Sequence, residues 1–77
     1  MLIAPNPSKG WTTISYSHTV VPTIEVYSIL GRKVANYSAN ITKGSWELNT
    51  TGLPTGVYVV VMKYNDAVLM QKKLIVE

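Results

Sequence analysis

Leu53-Pro54-Thr55-Gly56-Val57-Tyr58-Val59-Val60-Val61-Met62-Lys63-Tyr64 is a turn followed by the longest apolar run in the chain. Pro54 and Gly56 are turn formers. Val57–Tyr64 is rich in valine and tyrosine, residues that suit a pleated, half-buried surface. Successive side chains of a strand point to opposite faces, so Tyr58, Val60 and Met62 oppose Val57, Val59 and Val61. Apolar residues on both faces predict a central strand covered on both sides. Asn65-Asp66 then supplies a hairpin turn.

The same grammar extends in both directions. Downstream, Val68–Val76 reads as a final strand with a break near Gln71. Val68, Met70, Leu74 and Val76 there alternate with Leu69, Gln71, Lys73 and Ile75. Upstream, strands are predicted over Trp11–Ser17, Thr23–Ser28, Lys33–Tyr37 and Ser45–Asn49. Thr12, Ile14 and Tyr16 share one face of the first, Ile24 and Val26 one face of the second, and Trp46 and Leu48 one face of the fourth. Pro22 cannot donate to a ladder and belongs at a strand's beginning. Gly31 fits a turn position with positive φ. Turn signals recur about every 8–12 residues, and no segment carries ten residues of helical period. The fold class is therefore all-β, a small immunoglobulin-like antiparallel β-sandwich of six or seven strands. Leu53 followed by Tyr58 is either a core tyrosine or a tyrosine corner, in which the phenol bonds back to upstream backbone.

Composition bounds the function. With 77 residues there is room for one domain, 1–77, and one core. The chain is 47% hydrophobic, enough for a core, and only 14% charged against a usual value of about 25%. The net charge is +3, but the basic residues are scattered rather than gathered in a stripe with interleaved aromatics, which argues against a nucleic-acid partner. There is no cysteine, hence no disulfide, thiolate metal site or cysteine nucleophile. No run approaches the length of a membrane-spanning helix. Met1-Leu2-Ile3-Ala4 is too short for a signal peptide. Residues 1–4 read as a linker remnant or an expression start, with the domain boundary at or before Pro5.

Little in the chain looks like chemistry. His18 is the sole histidine, and Glu25, Glu47, Asp66 and Glu77 fall singly on different elements. No nucleophile–base arrangement, metal-ligand spacing or phosphate-cradling glycine pattern is present, so no catalytic residue, metal or cofactor is expected. Three Asn-X-Ser/Thr triplets, at Asn36, Asn40 and Asn49, are formal glycosylation acceptors of the kind that arise easily in such a composition. Trp11 could stack on a sugar ring, but a platform needs two or three coplanar rings. Lys72-Lys73 before Leu74-Ile75-Val76 has two readings. The lysines can discourage edge-to-edge aggregation of an ordinary last strand, or the strand can dock on a partner by strand addition.

Four short motifs, in order, fill the chain: Pro5-Asn6-Pro7; Ile24 through Val34 with its Gly31-Arg32 turn; Leu53-Pro54-x-Gly56-x-Tyr58; and Lys72-Lys73-Leu74-Ile75-Val76. No one of them is specific, but the ordered set resembles the type A C-terminal sorting domain of the type IX (Por) secretion system, from Ile3 to Glu77. Ala4 stands where that family commonly has Tyr, and Ser28 where it has Asp or Asn. The resemblance implies a non-catalytic secretion signal that is covalently part of a larger cargo protein of a Gram-negative bacterium. It implies passage through the periplasm to the cell surface or medium. The implied partners are an outer-membrane translocon with its shuttle barrel protein, which would recognise Lys72, Lys73, Leu74, Ile75 and Val76, and a sortase-like cysteine peptidase that removes the domain. Pro5, Asn6, Pro7, Gly31, Leu53, Pro54, Gly56 and Tyr58 would be structural. The alternatives are an accessory carbohydrate-binding module and a passive immunoglobulin-like spacer or adhesion module.

Overall fold

A computed structural model describes all 77 residues. It contains seven strands and no helix: β1 (Leu2–Ala4), β2 (Trp11–Ser17), β3 (Thr23–Ser28), β4 (Lys33–Ser38), β5 (Lys43–Asn49), β6 (Gly56–Tyr64) and β7 (Ala67–Val76). Two antiparallel sheets form a β-sandwich, one ordered β1-β2-β5 and the other β4-β3-β6-β7.

The alternation read from the sequence sets the core. Ile14 and Tyr16 of β2, Ile24 and Val26 of β3, Tyr58, Val60 and Met62 of β6, and Leu48 of β5 form one buried cluster with Ile3, Leu74 and Val76. Trp46 is half-buried and stacks on Tyr37 from the other sheet, centroids 5.3 Å apart and planes 8° from parallel. That stack closes the flank on which β4 and β5 are the edge strands.

Three expectations need correction. Residues 1–4 are not a bare linker: Leu2–Ala4 pairs with Thr13–Ser15 of β2, and Ile3 is in the core. The outer face of the central strand β6 is covered only in part. No layer packs on the far side of this sheet, so Val57 is exposed and Val59 half-exposed, while Val61, between Glu25 and Gln71 of the neighbouring strands, is buried. The last strand is continuous, with its irregularity at Leu69 rather than Gln71. Met62 pairs with Met70 and Lys63 with Val68, so Leu69 is the extra residue of a bulge. The bulge puts Val68 on the outer face, opposite Lys63, and lets Leu69 pack against the core.

The turn Ser28–Arg32 is closed by two backbone bonds, Gly31 N–H to the Ser28 carbonyl at 2.9 Å and Ser28 N–H to the Arg32 carbonyl at 2.8 Å. Gly31 has φ of 85° with open space where a Cβ would stand. The constraint is therefore backbone conformation and not crowding. Gly31→Asn, tolerated in the left-handed region, is expected to cost less stability than Gly31→Val, which is a conformational outlier there. Thermal melts of the two variants check the order; equal losses would mean that conformation is not the reason for the glycine.

Candidate functional site at the motif end of the sandwich

The four motifs, distant in sequence, meet at one end of the fold. Ser28, which opens the Gly31 turn, pairs with Tyr58; Gly56 pairs with Val76; and Ser8, next to Pro7, bridges Val76 in parallel. Shallow grooves on either side of the Gly31 turn are lined by Leu30 from the turn and by Pro54 and Tyr58 from the Leu-Pro-x-Gly-x-Tyr element.

Each motif has a legible physical task. The Tyr58 hydroxyl donates to the Pro54 carbonyl at 2.6 Å. This is the tyrosine corner, with its ring also in the core, so both readings of Tyr58 hold at once. Leu53 packs against that core from the same turn.

The Pro5-Asn6-Pro7 segment lies along the outer edge of β7. The Asn6 side-chain amide makes the two bonds that a neighbouring strand would make. Its Nδ2 donates to the Lys73 carbonyl at 2.9 Å, and its Oδ1 accepts the Ile75 N–H at 3.0 Å. Ser8 continues the pairing with its own backbone, N–H to the Ile75 carbonyl at 2.8 Å and carbonyl to the Glu77 N–H at 2.9 Å. Behind it, the buried Ser8 hydroxyl contacts Thr50 Oγ1, and Thr12 donates to the Pro5 carbonyl at 2.8 Å. Prolines suit the strap because the segment needs few backbone donors of its own.

This geometry changes what the C-terminal strand presents. Leu74 and Val76 are fully buried, so in the folded domain the apolar ladder Leu74-Ile75-Val76 does not face outward as a unit. Lys72, Lys73 and the half-buried Ile75 remain accessible. The backbone edge from Lys73 to Glu77, which docking by strand addition would use, is occupied by Asn6 and Ser8. The local sequence carries no sign of bonds between residues 67 and 69 positions apart.

One charged cluster escaped the sequence reading. Glu25, on the outer face of β3, accepts from the Tyr27 hydroxyl at 2.7 Å and pairs with Lys33 at 3.1 Å and Lys63 at 3.0 Å. Its side chain is only 12% exposed. The Tyr27 hydrogen bond, then Lys63 and Lys33, hold its carboxyl down at about 2 from an ordinary 4.5. The alternation placing Glu25 and Tyr27 outward was visible; the lateral neighbours Lys33 and Lys63 come from strand order. A depressed folded-state value contributes stability that is complete above about pH 4.5 and fades as pH falls toward 2. The melting temperature of the native chain should therefore drop more steeply across that interval than that of Glu25→Gln. Parallel curves would show that the cluster adds no pH-dependent stability.

The remaining candidates stay apart. His18 follows β2, its ring nitrogen beside Thr19 Oγ1 at 3.4 Å, and Glu47, Asp66 and Glu77 lie on separate elements. Trp11 is 49% exposed on the outer face of β2, while Trp46 is engaged by Tyr37 across the sandwich, so the two tryptophans do not form a common platform.

Comparison with curated proteins and with solved structures gives no match. A family model, described as the secretion system C-terminal sorting domain, matches residues 2–77. That span takes in all four motifs and both sheets, and the chain belongs to this family of non-catalytic type IX secretion signals, whose cargo proteins are exported to the cell surface or beyond.

Proposed function

We propose that the folded domain is recognised through an epitope built from both ends of the chain: the edge of β7 at Lys73 and Ile75 with the Asn6–Ser8 strap laid along it. The observation that carries this reading is the paired amide contact of Asn6 with Lys73 and Ile75, which makes the Pro-Asn-Pro and Lys-rich motifs one surface. In this reading an outer-membrane translocon and its shuttle barrel protein bind the domain after it folds in the periplasm. A sortase-like cysteine peptidase then separates it from its cargo. Ile75 supplies apolar contact, and Lys72 and Lys73 supply orientation and encounter rate, as rim charges do. The domain itself performs no catalysis.

The test fuses residues 1–77 behind a periplasmically targeted reporter in a type IX host and follows the reporter to the surface or medium. Asn6→Ala and Ile75→Asp are expected to impair export while the purified domains still melt cooperatively. Lys72→Ala and Lys73→Ala are expected to slow it. Folded Asn6→Ala and Ile75→Asp variants that export like the parent would place recognition elsewhere on the molecule.

A further inference from the structure

The Gly31 turn carries a feature that its backbone geometry does not require. Its two tip residues are Ile29 and Leu30, 73% and 93% exposed. Hairpin tips favour Gly, Asn, Asp, Ser and Pro, as at Asn65-Asp66 at the far end of the same sheet. Here the turn is closed by backbone bonds and Gly31, so polar side chains would serve the fold equally well. The apolar surface continues from the tip onto Pro54 and Val57 and reaches Ile75, the cross-strand partner of Val57.

The shape and charge of this surface limit what can cover it. Leu30 projects so far that an occupant must surround it, which a fluid apolar layer does without a preformed pocket. Arg32, two residues on, makes no ion pair, whereas Lys33 is held by Glu25. Lys73, beside Ile75 on β7, and Lys9, beside the strap, are also cations without an ion pair, and Glu77 is the acidic side chain next to them in the strap pairing. The rim is net positive around an apolar point.

We propose that the Ile29-Leu30 tip inserts into the interface of an anionic phospholipid bilayer, with Arg32 at the headgroup level. Short apolar segments flanked by Lys or Arg bind such interfaces by shallow burial plus attraction to anionic lipid. Export to the cell surface or beyond brings the domain to a membrane. A weak, reversible hold there, through the tip and Arg32, would confine the domain to two dimensions.

Sedimentation of the 77-residue domain with sucrose-loaded vesicles tests this independently of export. Vesicles of phosphatidylglycerol and phosphatidylethanolamine are expected to bind it at millimolar lipid, more weakly as salt rises, and phosphatidylcholine vesicles much less. The double variant Ile29→Ser/Leu30→Ser should lose about tenfold or more in partitioning with an unchanged melting temperature, since both side chains are already in water. Arg32→Ala should lose roughly fivefold. No binding by the parent, equal binding to both vesicle types, or full binding by the double variant would overturn the proposal. Loss of export in the double variant without vesicle binding by the parent would assign the tip to a pocket in a protein instead. None of these results bears on recognition at the β7 edge.

Discussion

Leu74→Ala is expected to lower stability by about 2–5 kcal/mol, while Ile75→Ala one position along costs about 1 kcal/mol or less. The contrast follows from strand alternation. Leu74 is completely buried in the cluster formed by both sheets, whereas Ile75 points to the uncovered face of β6 and β7. A domain of this length has roughly 4–12 kcal/mol of total stability, so the first variant would approach unfolding at moderate temperature. Urea titration of both variants reads the difference directly. Similar losses would mean that the two faces of β7 are assigned backwards. The same reasoning governs truncation. Removing Lys72–Glu77 deletes Leu74 and Val76 from the core and strips Asn6 and Ser8 of their partners, so it should abolish cooperative melting. Export lost on truncation then reports unfolding, and point changes at Asn6, Lys73 and Ile75 are the informative ones.

Gly44→Ala should destabilise the domain by about 1–3 kcal/mol, the range typical of overpacking. Strand glycines replaced by alanine commonly gain stability, because alanine has less freedom to lose on folding. Gly44 reverses the sign. A Cβ there would stand 2.9 Å from the Tyr16 hydroxyl and 3.3 Å from Ile41 Cδ1. Tyr16 is a buried ring that cannot swing aside, and burial together with nearby Tyr37 already pushes its hydroxyl pKa upward. Gly52, with nothing within 4 Å of its would-be Cβ, is the control, and Gly52→Ala should be neutral or mildly stabilising. If both substitutions behave alike in thermal melts, the Tyr16–Gly44 contact does not hold in solution.

Much of the architecture could be read in advance because period-two alternation and turn residues are local signals. The bounds of β2 and β3 and the inward faces of β2, β3, β5 and β6 follow from them. What escaped was non-local. β1 is three residues long, too short to show alternation, and exists because β2 offers it an edge. The Leu69 bulge depends on the register of β7 against β6, which no residue in Ala67–Val76 announces alone. For the site, the ordered motifs identified the family, but composition could not show that an asparagine near the start of the chain covers the edge near its end. An exposed Leu74-Ile75-Val76 ladder was the natural expectation for a strand read in isolation. The sandwich turns two of those three residues inward.

The strap has a mechanical consequence. Asn6–Ser8 runs parallel to Lys73–Glu77, joined by the Asn6 and Ser8 contacts. Tension between a cargo attached ahead of the strap and a machine gripping the tail would pull these two segments in opposite directions along their length. The bonds would then be loaded together, in shear, and not opened one at a time like a zipper. On the cargo side the pull passes first through β1, held by its ladder to β2, and then reaches this seam, so the load crosses paired backbone near both ends of the chain.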